Sequence, residues 1–108
     1  MHTFAFPLAA ARAAPLSPDR ASALLFEYGS MSLRYYAPDK VDRQTPHDQD
    51  EIYVVASGSG TFECAGETAP FTTGDALFAP AGAEHRFLDF SDDFAVWVIF
   101  YGPVGGEA

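Results

Sequence analysis

The sequence predicts an all-β domain, an antiparallel barrel or two-sheet sandwich. Three observations carry this. Short runs rich in Val, Ile, Phe and Tyr recur at roughly ten-residue spacing. Turn clusters separate them, among them APD, SGSG, GET, APAG and SDD. The last run, FAVWVIFY at 94–101, is apolar on both faces, as a strand between two layers must be.

Residues 1–22 are expected to form an N-terminal arm and 23–104 the barrel. In the arm, Pro7 and Pro15 bracket an Ala-rich piece with room for about two helical turns. ALLFEYGSMSLRYYAPD, 23–39, reads as strand material, with Met31, Leu33 and Tyr35 alternating with Ser32, Arg34 and Tyr36. Residues 37–50 are charged and turn-rich, hence a long connection. EIYVVAS, 51–57, is a β-branched strand, and SGSG reads as a hairpin turn with Gly58 and Gly60 in it. TFECA, 61–65, points Phe62 and Cys64 inward, and GET turns the chain. DALFAPAG, 75–82, is a short strand closed by a Pro/Gly turn, and HRFLDF, 85–90, is another strand. In the last run Phe94, Val96, Val98 and Phe100 form one side; Ala95, Trp97, Ile99 and Tyr101 form the other. One side faces the core. The other calls for the arm or a second subunit.

The chain has 108 residues, the length of one domain. An apolar fraction of 48%, with 10 Phe, argues against disorder. The net charge of −9 and the missing basic stripe exclude a nucleic-acid footprint and disfavour an anionic membrane surface. No apolar stretch nears the ~20 residues that span a bilayer. The N-terminus lacks a basic region and Arg12 interrupts its apolar run, so it reads as no signal peptide. Cys64 is the only cysteine; no internal disulfide can form, which fits a cytoplasmic protein. It reads as a small buried hydrophobe.

Two spaced patterns carry chemistry. The first is His47-x-x-x-Glu51 followed by Gly58. The second is GDALFAPAGAEH, with Gly74, Pro80, Gly82 and His85 at fixed offsets. Glu51, Tyr53 and Val55 share a strand face, so Glu51 points the same way as an apolar side chain. A carboxylate on a core-facing row needs a partner. Each residue also has a plainer reading: an exposed loop histidine, a surface carboxylate, a core tyrosine. Asp48 and Asp50 read as solvated, or as outer partners of a site.

With these patterns the sequence resembles the cupin family over about residues 30–101. The second motif, G-x5-P-x-G-x2-H, matches at every defined position except its trailing Asn, where Asp89 stands. The first motif, G-x5-H-x-H-x3-4-E-x6-G, matches in part. Thr45 replaces its first histidine in one spacing; Gln44 and Pro46 fall at the histidine positions in the other.

The resemblance implies a small antiparallel barrel, a jelly roll or double-stranded β-helix, with a metal near its mouth. His47, Glu51 and His85 would be the ligands, a 2-His-1-carboxylate set with open positions. Gln44 offers its amide oxygen as a fourth ligand, or is a polar loop residue. The ion would be a divalent transition metal: Fe, Mn, Zn or Ni. Tyr53 lies on the Glu51 face, where its hydroxyl can reach the pocket. Arg34 can reach solvent or the pocket mouth; at the mouth it would suit a carboxylate or phosphate. The resemblance also implies a homodimer paired through outer sheet faces or arm exchange. Three functions follow. One is a metalloenzyme on a small organic molecule, dioxygenase-, isomerase- or lyase-like. The second is a non-catalytic metal- or metabolite-binding barrel. The third is a metal-free barrel serving only assembly.

Overall fold

The structure, a computed structural model, describes residues 4–16, 22–39, 42 and 46–107. It is an antiparallel two-sheet barrel of β1 (Ser22–Tyr28), β2 (Met31–Tyr36), β3 (Asp50–Ser57), β4 (Ser59–Cys64), β5 (Glu67–Thr72), β6 (Ala76–Ala79), β7 (His85–Leu88) and β8 (Ala95–Tyr101). One sheet runs β1-β2-β8-β3-β6 and the other β5-β4-β7. A single short helix, α1 (Leu8–Ala13), precedes them among the described residues. No helix among those residues is long and apolar enough to cross a membrane.

Alternation places the core. Tyr53 and Val55 of β3, Val96, Val98 and Phe100 of β8, Phe62 of β4 and Phe87 of β7 all turn inward and are buried. Cross-strand register stacks them in rows. Ser32, Phe100, Glu51 and Ala79 form the row at one end; Arg34, Val98, Tyr53 and Leu77 form the next. The far end is filled by aromatic rings. Phe87 and Phe94 stand 4.8 Å apart between centroids, Phe71 and Phe94 5.0 Å, and Phe90 and Phe94 5.1 Å. Each such ring buried contributes roughly 1.5–3 kcal/mol.

The outer face of the larger sheet divides in two. Ala95, Tyr35 and Ala11 of α1 form a second buried cluster, with Trp97 packed against it. The Trp97 ring meets Tyr35 edge-on at 5.7 Å. So the arm covers part of the second apolar side of β8. Beyond it Leu33, Ile99, Ile52 and Phe78 lie in one outward row, with Phe78 51% exposed.

Several elements differ from expectation. Residues 23–39 are two strands, broken by a turn at Gly29 and Ser30. SGSG closes no hairpin, because β3 and β4 belong to different sheets. Gly58 takes φ 90 there, and a Cβ would stand 2.7 Å from the Phe94 Cα, so only glycine lets the chain cross between sheets. The GET turn lies one residue earlier, at Ala65 and Gly66, and Glu67–Thr72 is the unanticipated β5. Asp89 sits at φ 50, a left-handed conformation that Asn and Asp both tolerate. The motif's Asn can therefore be Asp at little conformational cost.

Candidate metal centre

The site forms at the barrel end where the row of Ser32, Phe100 and Glu51 lies. Glu51 is on β3 of the larger sheet and His85 on β7 of the smaller, both facing inward and only 1% and 3% exposed. His47 lies in the loop before β3, its ring edge-on to Phe100 at 4.9 Å. Nε2 of His85 is 2.8 Å from Glu51 Oε1, and Nε2 of His47 is 4.0 Å from the same oxygen. One donor atom from each of the three residues falls within 4.8 Å of the others.

The hydrogen bonding shows how this cluster is poised. The His85 Nδ1 lies 2.9 Å from the Ala83 carbonyl, which can only accept, so Nδ1 carries a proton. In the neutral ring Nε2 is then a bare lone pair facing Glu51. In that tautomer the 2.8 Å contact to Glu51 Oε1 carries no proton, and Glu51 Oε2, the other oxygen, is buried with no hydrogen-bond partner among the described residues. With the ring neutral, His85 Nε2 and Glu51 Oε1 converge as two lone-pair donors, an arrangement that could hold a common cation. A buried carboxylate lacking one costs several kcal/mol. The tautomer is also the one that metal-bound histidines usually show, fixed by a carbonyl on the other nitrogen. Two imidazoles and a carboxylate are suitable ligands for a divalent transition metal.

Electrostatics follow from the same contacts. Burial pulls the His85 pKa down. The Glu51 side chain, the Ala83 carbonyl and the charges of Glu51 and Asp42 outweigh it, leaving His85 above the ordinary histidine value. Cys64 faces inward in register with His85. Burial, then the charges of Glu51 and Glu67, raise its thiol pKa. That makes it a poor nucleophile.

Backbone ties hold the two motifs together. The Gly82 amide donates to the His47 carbonyl at 2.8 Å, so the turn before His85 and the loop bearing His47 are joined. Gly82 sits at φ 78, which explains the glycine in that turn. Of the two readings of Asp50, solvated or an outer partner of the site, the solvated one fails, because Asp50 is buried: Oδ1 accepts from the Ala81 amide at 2.8 Å and Oδ2 from the Glu107 amide at 2.9 Å. Bonds from Glu107 and then Ala81 lower its pKa, against the opposing pull of burial. Asp42 was missed altogether. Its carboxylate accepts from the Tyr36 hydroxyl and the Phe87 amide, each at 2.7 Å, pinning the loop to the open edge of β7. Gln49 donates to the Ser30 and Gly102 carbonyls.

The remaining candidates separate. Tyr53 is fully buried, with its ring 6.0 Å from His85 and 4.9 Å from Phe87, beneath the cluster. Arg34 lines a pocket of about 410 Å³ together with His47, Phe100, Ser32, Gln49 and Glu27. Its Nη1 donates to the Ser22 hydroxyl at 3.0 Å. Gln44 and Thr45 lie outside the described residues. A second pocket, about 460 Å³, lies between Arg12 and the Asp92–Asp93 turn, and none of the three clustered residues borders it.

A family model for the cupin domain matches residues 33–101. The chain belongs to the cupin family. This cupin is 40% identical over 76 residues to an uncharacterized protein of Streptomyces coelicolor, covering 68% of this chain and 72% of that one. Solved structures agree on the fold. A Cupin 2 conserved barrel domain protein from Salinispora arenicola matches with a TM-score of 0.69 at 17% identity, over 94% of this cupin and 91% of that chain. KdgF from a Halomonas species matches at 0.64 and 22% identity, over 73% and 74%.

Proposed function

We propose that this cupin binds a divalent transition metal through His47, Glu51 and His85 and acts on a small organic molecule in the adjoining pocket. The observation that carries the reading is the buried 2.8 Å approach of His85 Nε2 to Glu51 Oε1, with Glu51 Oε2 left without a partner among the described residues. A metal bound there supplies Lewis-acid polarisation of a substrate oxygen or, with iron, oxygen chemistry. The residues around it hold the ligand set: Ala83 fixes the His85 tautomer, and Phe100 flanks the His47 ring. The pocket is of small-molecule size. Whether the chemistry is dioxygenase-, isomerase- or lyase-like follows from the metal. The alternative is a barrel that binds metal or metabolite without turnover.

Elemental analysis of protein purified without added metal, followed by titration with Fe(II), Mn(II), Zn(II) and Ni(II), tests the reading. About one ion per chain is expected. No binding at neutral pH by any of the four rejects it. The single cysteine supports a cytoplasmic setting, and the outward row of half-buried Leu33, Ile99 and Ile52 with exposed Phe78 supports a homodimer.

A further inference from the structure

We propose that the segment after β8, residues 102–107, is a strap that positions His47 and sets how fast the metal leaves; this rests on the metal reading and concerns retention of that ion. Glu51 and His85 are fixed by strands, whereas His47 lies in the loop before β3. Its side chain is 24% exposed, against 1% for each of the other two. What holds that loop therefore decides where the third ligand stands.

Four consecutive residues, 47–50, are each tied to a distant part of the chain. The His47 carbonyl accepts from the Gly82 amide at 2.8 Å, and the Asp48 carbonyl from the Gly105 amide at 2.7 Å. The Gln49 side-chain amide donates to the Ser30 carbonyl at 2.8 Å and to the Gly102 carbonyl at 2.9 Å. Its two protons let it serve both at once. Asp50 accepts from the Ala81 and Glu107 amides. So Asp48, Gln49 and Asp50 all reach the 102–107 segment, and the Ser30 hydroxyl anchors its start by accepting from the Gly102 amide at 3.1 Å.

The path of the strap is written in its glycines. Gly102, Gly105 and Gly106 take φ 80, 94 and 91, where a side chain is strained. At Gly106 a Cβ would also stand 3.0 Å from Asp50 Oδ1 and 3.2 Å from the Ala81 Cβ. Pro103, Val104, Gly105 and Glu107 are exposed, so hydrogen bonds and not apolar burial hold the strap down. Such a segment opens locally at far less cost than the packed barrel. When it lifts, Asp48 and Gln49 lose partners, and the His47 ring can leave the ion while Glu51 and His85 still hold it.

The test follows Co(II) dissociation into excess chelator from wild type, Gln49→Met and Gly106→Ala, and from the same two substitutions made in His47→Ala. In the wild-type background each should speed dissociation by roughly tenfold, the worth of one or two lost hydrogen bonds. In His47→Ala neither should speed it further, because a strap that acts through His47 has nothing left to position. The visible Co(II) spectrum of Gln49→Met should move toward that of His47→Ala. Equal acceleration in both backgrounds overturns the proposal, since the segment would then serve the barrel at large. So does unchanged dissociation in Gln49→Met and Gly106→Ala, which leaves the metal reading standing. If Co(II) does not bind wild type at all, the metal reading fails and the strap falls with it.

Discussion

Glu51 Oε1 and His85 Nε2 meet at 2.8 Å from strands of different sheets, and among the described residues Glu51 Oε2 is buried without a hydrogen-bond partner. His85→Ala should therefore weaken metal binding by more than the 10–100-fold that loss of an outer partner typically brings. The fold should persist, because the rings below do not depend on the ion. Phe87→Ala, two residues on, should do the reverse: destabilise by about 3–5 kcal/mol while leaving the ligands in place. Metal titration and urea unfolding of both variants separate the two effects. Wild-type metal affinity in His85→Ala would refute the ligand assignment.

Stability should respond to pH in opposite directions with and without metal. In the metal-free protein His85 has its pKa raised above the ordinary histidine value. Its contribution is then fully present below about 6.5, the unfolded value, and is lost as pH rises through the folded pKa. Metal needs the neutral ring, so metal-loaded protein should gain stability over the same interval. Melting temperatures measured from pH 5.5 to 8.5, with chelator and with saturating Zn(II), check both slopes. Parallel slopes would count against coordination by His85.

Asp50 should act as the clasp of this end of the barrel. Its pKa is lowered by the Glu107 and Ala81 amides, so its contribution is present above about 4 and lost as pH falls through the folded value. Asp50→Ala should remove that acid sensitivity and weaken metal binding by less than His85→Ala. Hydrogen exchange should rise at Ala81 and Glu107 and stay unchanged at Val96. Unchanged exchange at the two amides would show that the clasp is dispensable.

The outer row predicts self-association. Ile52→Lys puts a charge between Ile99 and Phe78 on that face and should convert a dimer to a monomer without loss of metal binding. Sedimentation equilibrium reads this directly. A wild type that stays monomeric at high concentration rejects the pairing.

Much of this was legible in the sequence where the signal is local. The inward turn of Glu51 followed from its alternation with Tyr53 and Val55. The turn before His85 followed from Pro80 and Gly82. What escaped depends on distant partners. Asp50 looks like one acid among several until Ala81 and Glu107, 31 and 57 residues away, meet it. Asp42 shows in the sequence only as one more acid in a charged loop: Tyr36 is six residues away, but the bond to the β7 edge comes from Phe87, 45 residues off. Strand β5, ETAPFT, buries only Phe71 and contains Pro70, which an edge strand admits but a period-two pattern hides. SGSG spells a hairpin as readily as a crossing between sheets, and only the pairing of β3 and β4 decides which.

The rings of Phe71, Phe87, Phe90 and Phe94 stop the barrel at the end away from His47. Among the described residues, the pocket that His47 borders lies toward the other end, with Phe100 and Val104 in its wall. A ligand would then approach from the side of His47, and a bulky adduct on Val104→Cys should hinder its arrival and departure alike.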